Sequence, residues 1–399
     1  MAGCPPAGRL SLAASEPPPV VMLLQPYHSG SHAAWAASYR AHSRLKVDVL
    51  AMPGRFWKWR MHGAAVTLAR RAMAHEPRPD VVLATDMLDL ASFLGLARRR
   101  LAGVPAVLYM HENQLAYPGL RPEPYWTASR RRRAARRDAR YPFVNLTSAL
   151  AADVVAWSSR FNRNSFLERL PAFLRQFPDC REPDAVGEVA ARSRILAVGI
   201  DLASLDRQRP SERRPGPPRV LWNHRWEHDK CPELFFGALE QLAARGVAFE
   251  VAVLGESFGR TPPVFALARE RLAGRVIRFG YAEDRDEYAR WLWDADVVVS
   301  TARHEFFGAA VCEALYCGCR PLLPRDLAYP EMVPERWHAA VLYDRPEDLP
   351  DRLQMALAGD DAEMRAALRH HVARFDWRAQ APVYDDLLSG LASAAGPAP

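Results

Sequence analysis

Glu305 and Glu313 lie eight residues apart in the stretch 304–319, His-Glu-Phe-Phe-Gly-Ala-Ala-Val-Cys-Glu-Ala-Leu-Tyr-Cys-Gly-Cys. An apolar run, Asp296 to Thr301, precedes it and reads as a buried parallel strand ending in a loop. A helix should then start near Gly308. The first turn of such a helix has unbonded N–H groups and the positive end of a dipole, which makes it a site for a phosphate. One glutamate falls just before that helix and the other about a turn and a half inside it. Both can therefore address one bound molecule, with its phosphate between them. A lone glutamate is ordinarily a solvated surface charge. The flanking Phe306, Phe307, Gly308 and Ala309, at a strand-to-helix junction, do not make a solvated face. Arg225 and Lys230 are five apart on a loop that follows a strand beginning at Val220 and enters a helix. They are placed to grip a diphosphate and to neutralise the charge that grows as it leaves.

A second group of polar residues belongs to the first half of the chain. Val20 to Gln25 reads as the first strand, delivering Pro26-Tyr27-His28-Ser29-Gly30-Ser31-His32 to the carboxyl edge of a parallel sheet, where open α/β folds bind ligands. Gly30 lets backbone approach a ligand closely, and a helix is expected over 31–42. His28 and His32 are either ligand contacts or turn and capping residues. Thr85-Asp86 and His111-Glu112-Asn113-Gln114 also follow apolar runs and should reach that edge. A carboxylate or histidine there orients an acceptor hydroxyl or simply caps the next helix. Phe56-Trp57-Lys58-Trp59-Arg60 either packs under a loop or stacks on a base. From Ser129 to Arg140, seven arginines fall in twelve positions, among them Arg130, Arg131, Arg132, Arg133, Arg136 and Arg137. Like charges at that density repel one another, and an anionic partner relieves the repulsion. RNA phosphate is the preferred partner and acidic lipid the rival.

The elements that must position these residues need room for two domains, and 399 residues supply it. A composition 49% hydrophobic and 25% charged is that of a soluble globular protein. No run of 18 apolar residues occurs, which argues against a membrane span. The net charge of +7 favours anionic partners without choosing among them. Cys4, Cys180, Cys231, Cys312, Cys317 and Cys319 form no C-x2-C pair and have no histidine spacing suited to zinc. Helix-end packing is the expected role of Cys317 and Cys319, and a reduced cytoplasm fits best. No metal and no prosthetic group is expected.

Strands are expected at Val47–Ala51, Val81–Thr85, Ala106–Tyr109 and Val154–Ser158, with helical patterns between them. The half closes at Ile195 to Asp201. The second half repeats the alternation at Val220, Phe249–Gly255, Val276–Tyr281, Asp294–Thr301, Pro321–Pro324 and Val341–Tyr343. Such alternation implies doubly wound parallel sheets. The expected layout is a disordered leader over 1–19, a first domain over 20–206, a Pro- and Arg-dense linker over 207–219 and a second domain over 220–373. A C-terminal helix over 374–390 and a tail over 391–399 follow.

The E-x7-E and Arg-x4-Lys patterns together resemble those of retaining GT-B glycosyltransferases of glycosyltransferase family 4. The resemblance extends from Val20 to the C-terminal helix and implies two Rossmann-like domains facing a central cleft. It further implies that Glu305 contacts the donor sugar, Glu313 the ribose hydroxyls, and Arg225, Lys230 and the glycine-led helix N-terminus the diphosphate. The nucleobase would lie against backbone near Tyr281, and the last helix would cross back to the first domain. A narrower resemblance rests on 25–32, on Tyr-Met-His-Glu-Asn-Gln-Leu-Ala-Tyr-Pro at 109–118, on 145–153 and on Trp222 to Lys230. These segments resemble the tRNA-queuosine α-mannosyltransferase family, which transfers mannose from GDP-mannose to the queuosine base of tRNA-Asp. The arginine run is not one of the shared features. The resemblance implies a nucleotide-sugar donor and queuosine-containing tRNA as partner; His111 is expected to contact the sugar or position the acceptor as a catalytic residue with Glu305, Arg225 and Lys230, with His28, His32 and Asn113 on the acceptor side and, from their charge, the arginines 130–137 on the RNA. Two rivals stand beside it: a glycosyltransferase with a lipid or small-molecule acceptor, and a non-catalytic RNA-binding protein on the same scaffold.

Overall fold

A computed structural model describes residues 17–117, 139–212, 214–256, 262–359 and 362–395. The first half contributes β1 (Val20–His28), β2 (Lys46–Pro53), β3 (Val81–Thr85), β4 (Ala106–Met110), β5 (Val154–Trp157) and β6 (Ser193–Ile195), all parallel in the order β2-β1-β3-β4-β5-β6. The second contributes β7 (Arg219–Trp222), β8 (Glu250–Leu254), β9 (Val276–Gly280), β10 (Val297–Val299), β11 (Arg320–Pro324) and β12 (Leu342–Tyr343), parallel in the order β12-β11-β10-β7-β8-β9. The central strands are apolar because helices cover both faces of each sheet; β3, β4 and β5 are buried at every position.

Strand order places the ligand sites. In each sheet the chain reverses its direction of winding, and the strands that part there open a crevice between their following loops. In the first sheet β1 and β3 part, so the loops after them, and after β4, share an edge. The partners in the second sheet are β7 and β10. Thus 223–230 and 300–308, far apart in sequence, become neighbours. Thr301 Oγ1 donates to Lys230 O at 2.8 Å and Arg303 N donates to Asp229 O at 2.8 Å, which ties the two loops together.

The Ile195–Asp201 segment is a strand only at its start. Beyond Ile195 it leaves the sheet, and Ile200 bridges Asp376 where the chain recrosses. The helix Trp377–Ala394 then packs on the first domain, burying Trp377, Ala381, Tyr384 and Leu388 against Val21, Leu23, Trp35 and Tyr39. Asp385 pins it, accepting from Tyr39 Oη at 2.8 Å and Arg44 N at 2.8 Å. The two halves also meet beside the cleft. Glu331, from the second, accepts the backbone N–H groups of Arg160 (2.9 Å) and Phe161 (2.5 Å) at the start of the helix Arg160–Leu174. Among the described residues no helix is long and apolar enough to cross a membrane.

Candidate active site

The β10 loop ends at Gly308, whose φ of +91° lies in the left-handed region. A Cβ there would stand 3.1 Å from Met332 Cε and 3.2 Å from Tyr329 Cε1, so both conformation and space call for glycine. The helix Ala309–Tyr316 follows, and its first internal bond runs from Cys312 N to Gly308 O at 2.9 Å. The amides of Ala309, Ala310 and Val311 therefore precede the bonded turns.

Glu305 bends back over this start. Its Oε1 accepts from Gly308 N at 3.1 Å and, more weakly, from Phe307 N at 3.4 Å, while Oε2 accepts from Lys230 Nζ at 3.2 Å. Burial alone would raise its pKa, but Lys230, His224 and the hydrogen bonds outweigh it and hold the carboxyl at about 2. Lys230 is buried and also donates to His304 O at 2.7 Å, with Asp229 Oδ2 3.4 Å away. Burial works against its charge; Glu305 and Asp229 more than offset that and raise its pKa. Arg225 is different. It reaches into the cleft with its side chain 55% exposed and Glu227 Oε2 3.7 Å away.

Glu313 is held from the helix Arg285–Asp294: Arg285 Nη1 donates to Oε1 at 2.6 Å and Tyr288 Oη to Oε2 at 2.9 Å. Tyr288 Oη in turn accepts from Asn223 Nδ2 at 3.0 Å. Each carboxylate oxygen retains a second lone pair, so the carboxylate is fixed in direction and still able to accept. The Phe306 and Phe307 rings are buried, against Phe161 and His304 and against Phe375 respectively. Their position leaves backbone, not ring, for a ligand. The Tyr281 ring is exposed and its carbonyl accepts from Arg278 Nη2 at 2.8 Å.

Across the cleft, His111 Nδ1 lies 3.3 Å from Asp86 Oδ1, which also accepts the His111 N–H at 3.1 Å. With Nδ1–H toward the carboxylate, Nε2 carries the lone pair, and this buried atom has no partner among the described residues. The His32 ring lies 4.7 Å from that of His111. Burial first, then His111, Arg225 and His28, push the His32 pKa well down, so its imidazole is neutral. Nδ1 of His28 and Nδ1 of His32 are also buried without a partner among the described residues. Gly30 starts the adjacent helix Gly30–His42 at φ +49°.

One expectation changes. Asn113, expected on the acceptor side, is fully buried, and its amide donates to Asn162 O (3.1 Å), Asn162 Oδ1 (2.9 Å) and Ser165 Oγ (3.0 Å) while accepting from Ala116 N (2.7 Å). Its bonds hold the 111–117 loop in place and leave no group for a substrate. Arg130, Arg131, Arg132, Arg133, Arg136 and Arg137 lie outside the described residues.

Several site residues carried no signal strong enough to be singled out. Arg285 and Tyr288 sit on the helix Arg285–Asp294, which no motif marks in the sequence. Glu112, by contrast, belongs to the polar strand end 111–114 read from the sequence, where a carboxylate or histidine orients an acceptor hydroxyl or caps a helix. Burial and then Asp86 push its carboxyl up to about 8, against the opposing pull of Arg225 and Lys230 from the other domain. His224 and His304 are buried beside Lys230, each with pKa lowered to about 4, burial being the main cause and Lys230 the next. The His304 ring meets Tyr117 of the first domain at 4.4 Å. The cysteines fit their expected part: no disulfide joins the described ones, and Cys317 and Cys319 are buried at the helix end.

Comparison with known proteins agrees with this geometry. Residues 20–200 match the family model described as tRNA-queuosine alpha-mannosyltransferase N-terminal, and residues 205–373 the one described as glycosyl transferases group 1. A tRNA-queuosine alpha-mannosyltransferase of Drosophila melanogaster is 33% identical over 325 residues, covering 79% of this chain and 82% of the relative. A GDP-mannose-dependent alpha-(1-6)-phosphatidylinositol dimannoside mannosyltransferase of Mycobacterium tuberculosis is 26% identical, covering 78% and 74%. Among solved structures, sucrose-phosphate synthase of Thermosynechococcus elongatus superposes with a TM-score of 0.66 at 17% identity, covering 94% of this chain and 100% of that one. Anabaena HepE, bound to UDP and glucose, gives 0.62 at 14% identity, covering 94% and 99%. At such identities the structures establish the fold alone, a two-domain GT-B arrangement.

Proposed function

The chain belongs to the tRNA-queuosine alpha-mannosyltransferase family, and from that membership we propose that it is a retaining glycosyltransferase carrying mannose from GDP-mannose to the queuosine base of tRNA-Asp. The observation that carries the chemical reading is the Glu305–Lys230 pair at a glycine-led helix start, beside Arg225. A diphosphate entering there meets Lys230, Arg225 and the amides of Gly308 and Ala309. Donor binding turns Lys230 from its carboxylate partner toward the phosphate and so readies it for the negative charge that grows on the leaving GDP. Glu305, ionised across the physiological range, accepts the sugar hydroxyls. Glu313 accepts those of the ribose in the direction set by Arg285 and Tyr288. The base lies along the backbone at Tyr281.

The acceptor hydroxyl approaches from the first domain, on the face from which GDP departs. His111 Nε2 accepts a hydrogen bond from it or from the sugar, and Asp86 keeps the imidazole in that tautomer. His28 and His32 line the same approach. Arginines 130–137 are assigned to the tRNA phosphates on the strength of their sequence. A tRNA acceptor places the reaction in the cytoplasm.

The test is incubation of the purified protein with GDP-mannose and queuosine-containing tRNA, followed by nucleoside mass analysis. We expect a hexose on queuosine, absent with Glu305→Ala. Donor hydrolysis without transfer to the tRNA would refute the acceptor and move the search to lipid or small-molecule acceptors.

A further inference from the structure

One cluster at the sheet edge takes no part in the chemistry above. β2 ends at Pro53, in register with His28 of β1, so the loop after β2 opens beside the His28–Gly30 loop. The two approach closely: a Cβ on Gly54 would stand 2.0 Å from Ser29 Oγ. From here the helix Trp57–Ala74 runs away from the cleft. Trp57 packs inward, its ring 5.3 Å from that of Tyr141, and Arg60 is buried with Nε donating to Pro53 O at 3.2 Å. These two residues anchor the segment.

The remaining rings face outward. Phe56 is 72% exposed and Trp59 62%, with Arg55 and Lys58 exposed beside them. Phe56 holds a φ of +55°, a strained conformation for a residue with a Cβ, and its carbonyl accepts from Trp59 N at 2.8 Å and Arg60 N at 3.0 Å. Two large rings kept in water, one on a strained backbone, forgo burial that the fold gives to most of its aromatics. The stretch 53–74 contains no aspartate or glutamate, whereas it holds Arg55, Lys58, Arg60, Arg70 and Arg71. An occupant must therefore offer flat apolar faces together with negative charge.

We propose that Phe56 and Trp59 form a stacking platform for unpaired bases of the acceptor RNA, with Arg55 and Lys58 meeting the phosphates that join them. Every base has a π-face, so such a platform holds an anticodon loop without reading its sequence and leaves one nucleotide to enter the cleft. The inference rests on the tRNA reading and adds the surface that would hold the RNA. A lipid surface is the competing occupant, since exposed Val66 and Met73 continue the helix face from Trp59.

The experiment is fluorescence anisotropy of the full chain with a fluorescein-labelled anticodon stem-loop RNA carrying guanosine in place of queuosine. Trp59→Ala and Phe56→Ala should each weaken binding about tenfold, and Trp59→Tyr should retain most of the affinity. Lys58→Ala should lower the slope of log K against log salt by about 0.7. Unchanged melting curves would confirm that the variants fold. RNA affinity within about twofold of wild type in both alanine variants would overturn the platform. So would ring-dependent binding to phosphatidylcholine–phosphatidylserine vesicles with RNA affinity unaltered. Because this assay uses neither donor nor queuosine, ring-dependent RNA binding without hexose transfer would sink only the acceptor assignment. Hexose transfer with ring-independent binding would sink only the platform.

Discussion

The two walls of the cleft handle charge in opposite ways. On the second domain each carboxylate has a cation of its own: Glu305 has Lys230 and Glu313 has Arg285, at 3.2 and 2.6 Å. On the first domain two groups facing the cleft are kept neutral. His32 is pushed well below its ordinary value and Glu112 well above, and two cations that pull on Glu112, Arg225 and Lys230, belong to the opposite wall. One wall is complete before any ligand arrives, as a site for a charged donor should be. The other is unfinished: among the described residues, buried nitrogens on His28, His32 and His111 have no hydrogen-bond partner, and a substrate can supply one.

The largest test of this contrast removes a cation from the paired wall. Lys230→Ala should slow transfer by roughly 10²–10³ and destabilise the fold by about 3–5 kcal/mol, because the Glu305 carboxylate is left buried without its partner. Combining it with Glu305→Gln should restore most of the stability in urea unfolding and none of the turnover. Recovery of activity would break the assignment of Lys230 to the diphosphate.

Glu313→Ala should weaken GDP binding by about 1.5–3 kcal/mol, the range for hydrogen bonds to a charged group. Calorimetry that finds GDP affinity intact would remove the ribose from Glu313.

A smaller effect is expected from Glu112→Gln, and its sign depends on pH. The folded pKa of about 8 lies above the ordinary 4.5, so the cost of charging this carboxyl in the fold is absent below 4.5, grows as pH rises and is complete above 8. The variant should melt with wild type at pH 4 and several degrees above it at pH 9, at roughly 2–4 °C per kcal/mol. A constant gap across that range would mean that Glu112 has a compensating cation on its own wall.

The smallest effect concerns the contact between the walls. Glu331→Ala removes the carboxylate that accepts two N–H groups of the opposite domain, at a cost of about 0.5–2 kcal/mol, as for other helix N-terminal caps. Small-angle scattering should register a more open chain. Unchanged scattering would show that the crossing helix Trp377–Ala394 sets the closure without Glu331.

Much of the fold was legible because a parallel strand covered on both faces must be a continuous apolar run. Val81–Thr85 is found as expected, and β1 extends three residues past its expected end, into the polar loop at His28. The segment 195–201 was legible only as the close of the first half, because the pairing of an apolar run that crosses between domains is set by residues distant in sequence, here Asp376. In the site, Glu305, Gly308, Arg225 and Lys230 were legible through local patterns of strand, loop and helix start. Asn113 was misjudged for the opposite reason: its partner Asn162 is 49 residues away, and nothing near Asn113 announces it.

By itself the sequence determined what depends on neighbours along the chain: the alternation of strands and helices, the glycine at a left-handed helix start, and the spacing of two glutamates and two cations. Only the tertiary structure decided which charges neutralise one another. Coulomb attraction and desolvation act through space, and the winding reversal that brings β7 beside β10 sets those distances. Lys230 and Glu305, 75 residues apart, become a pair that way. Glu112, equally polar on paper, feels Arg225 and Lys230 only from across the cleft, because the same topology placed those two cations on the other wall.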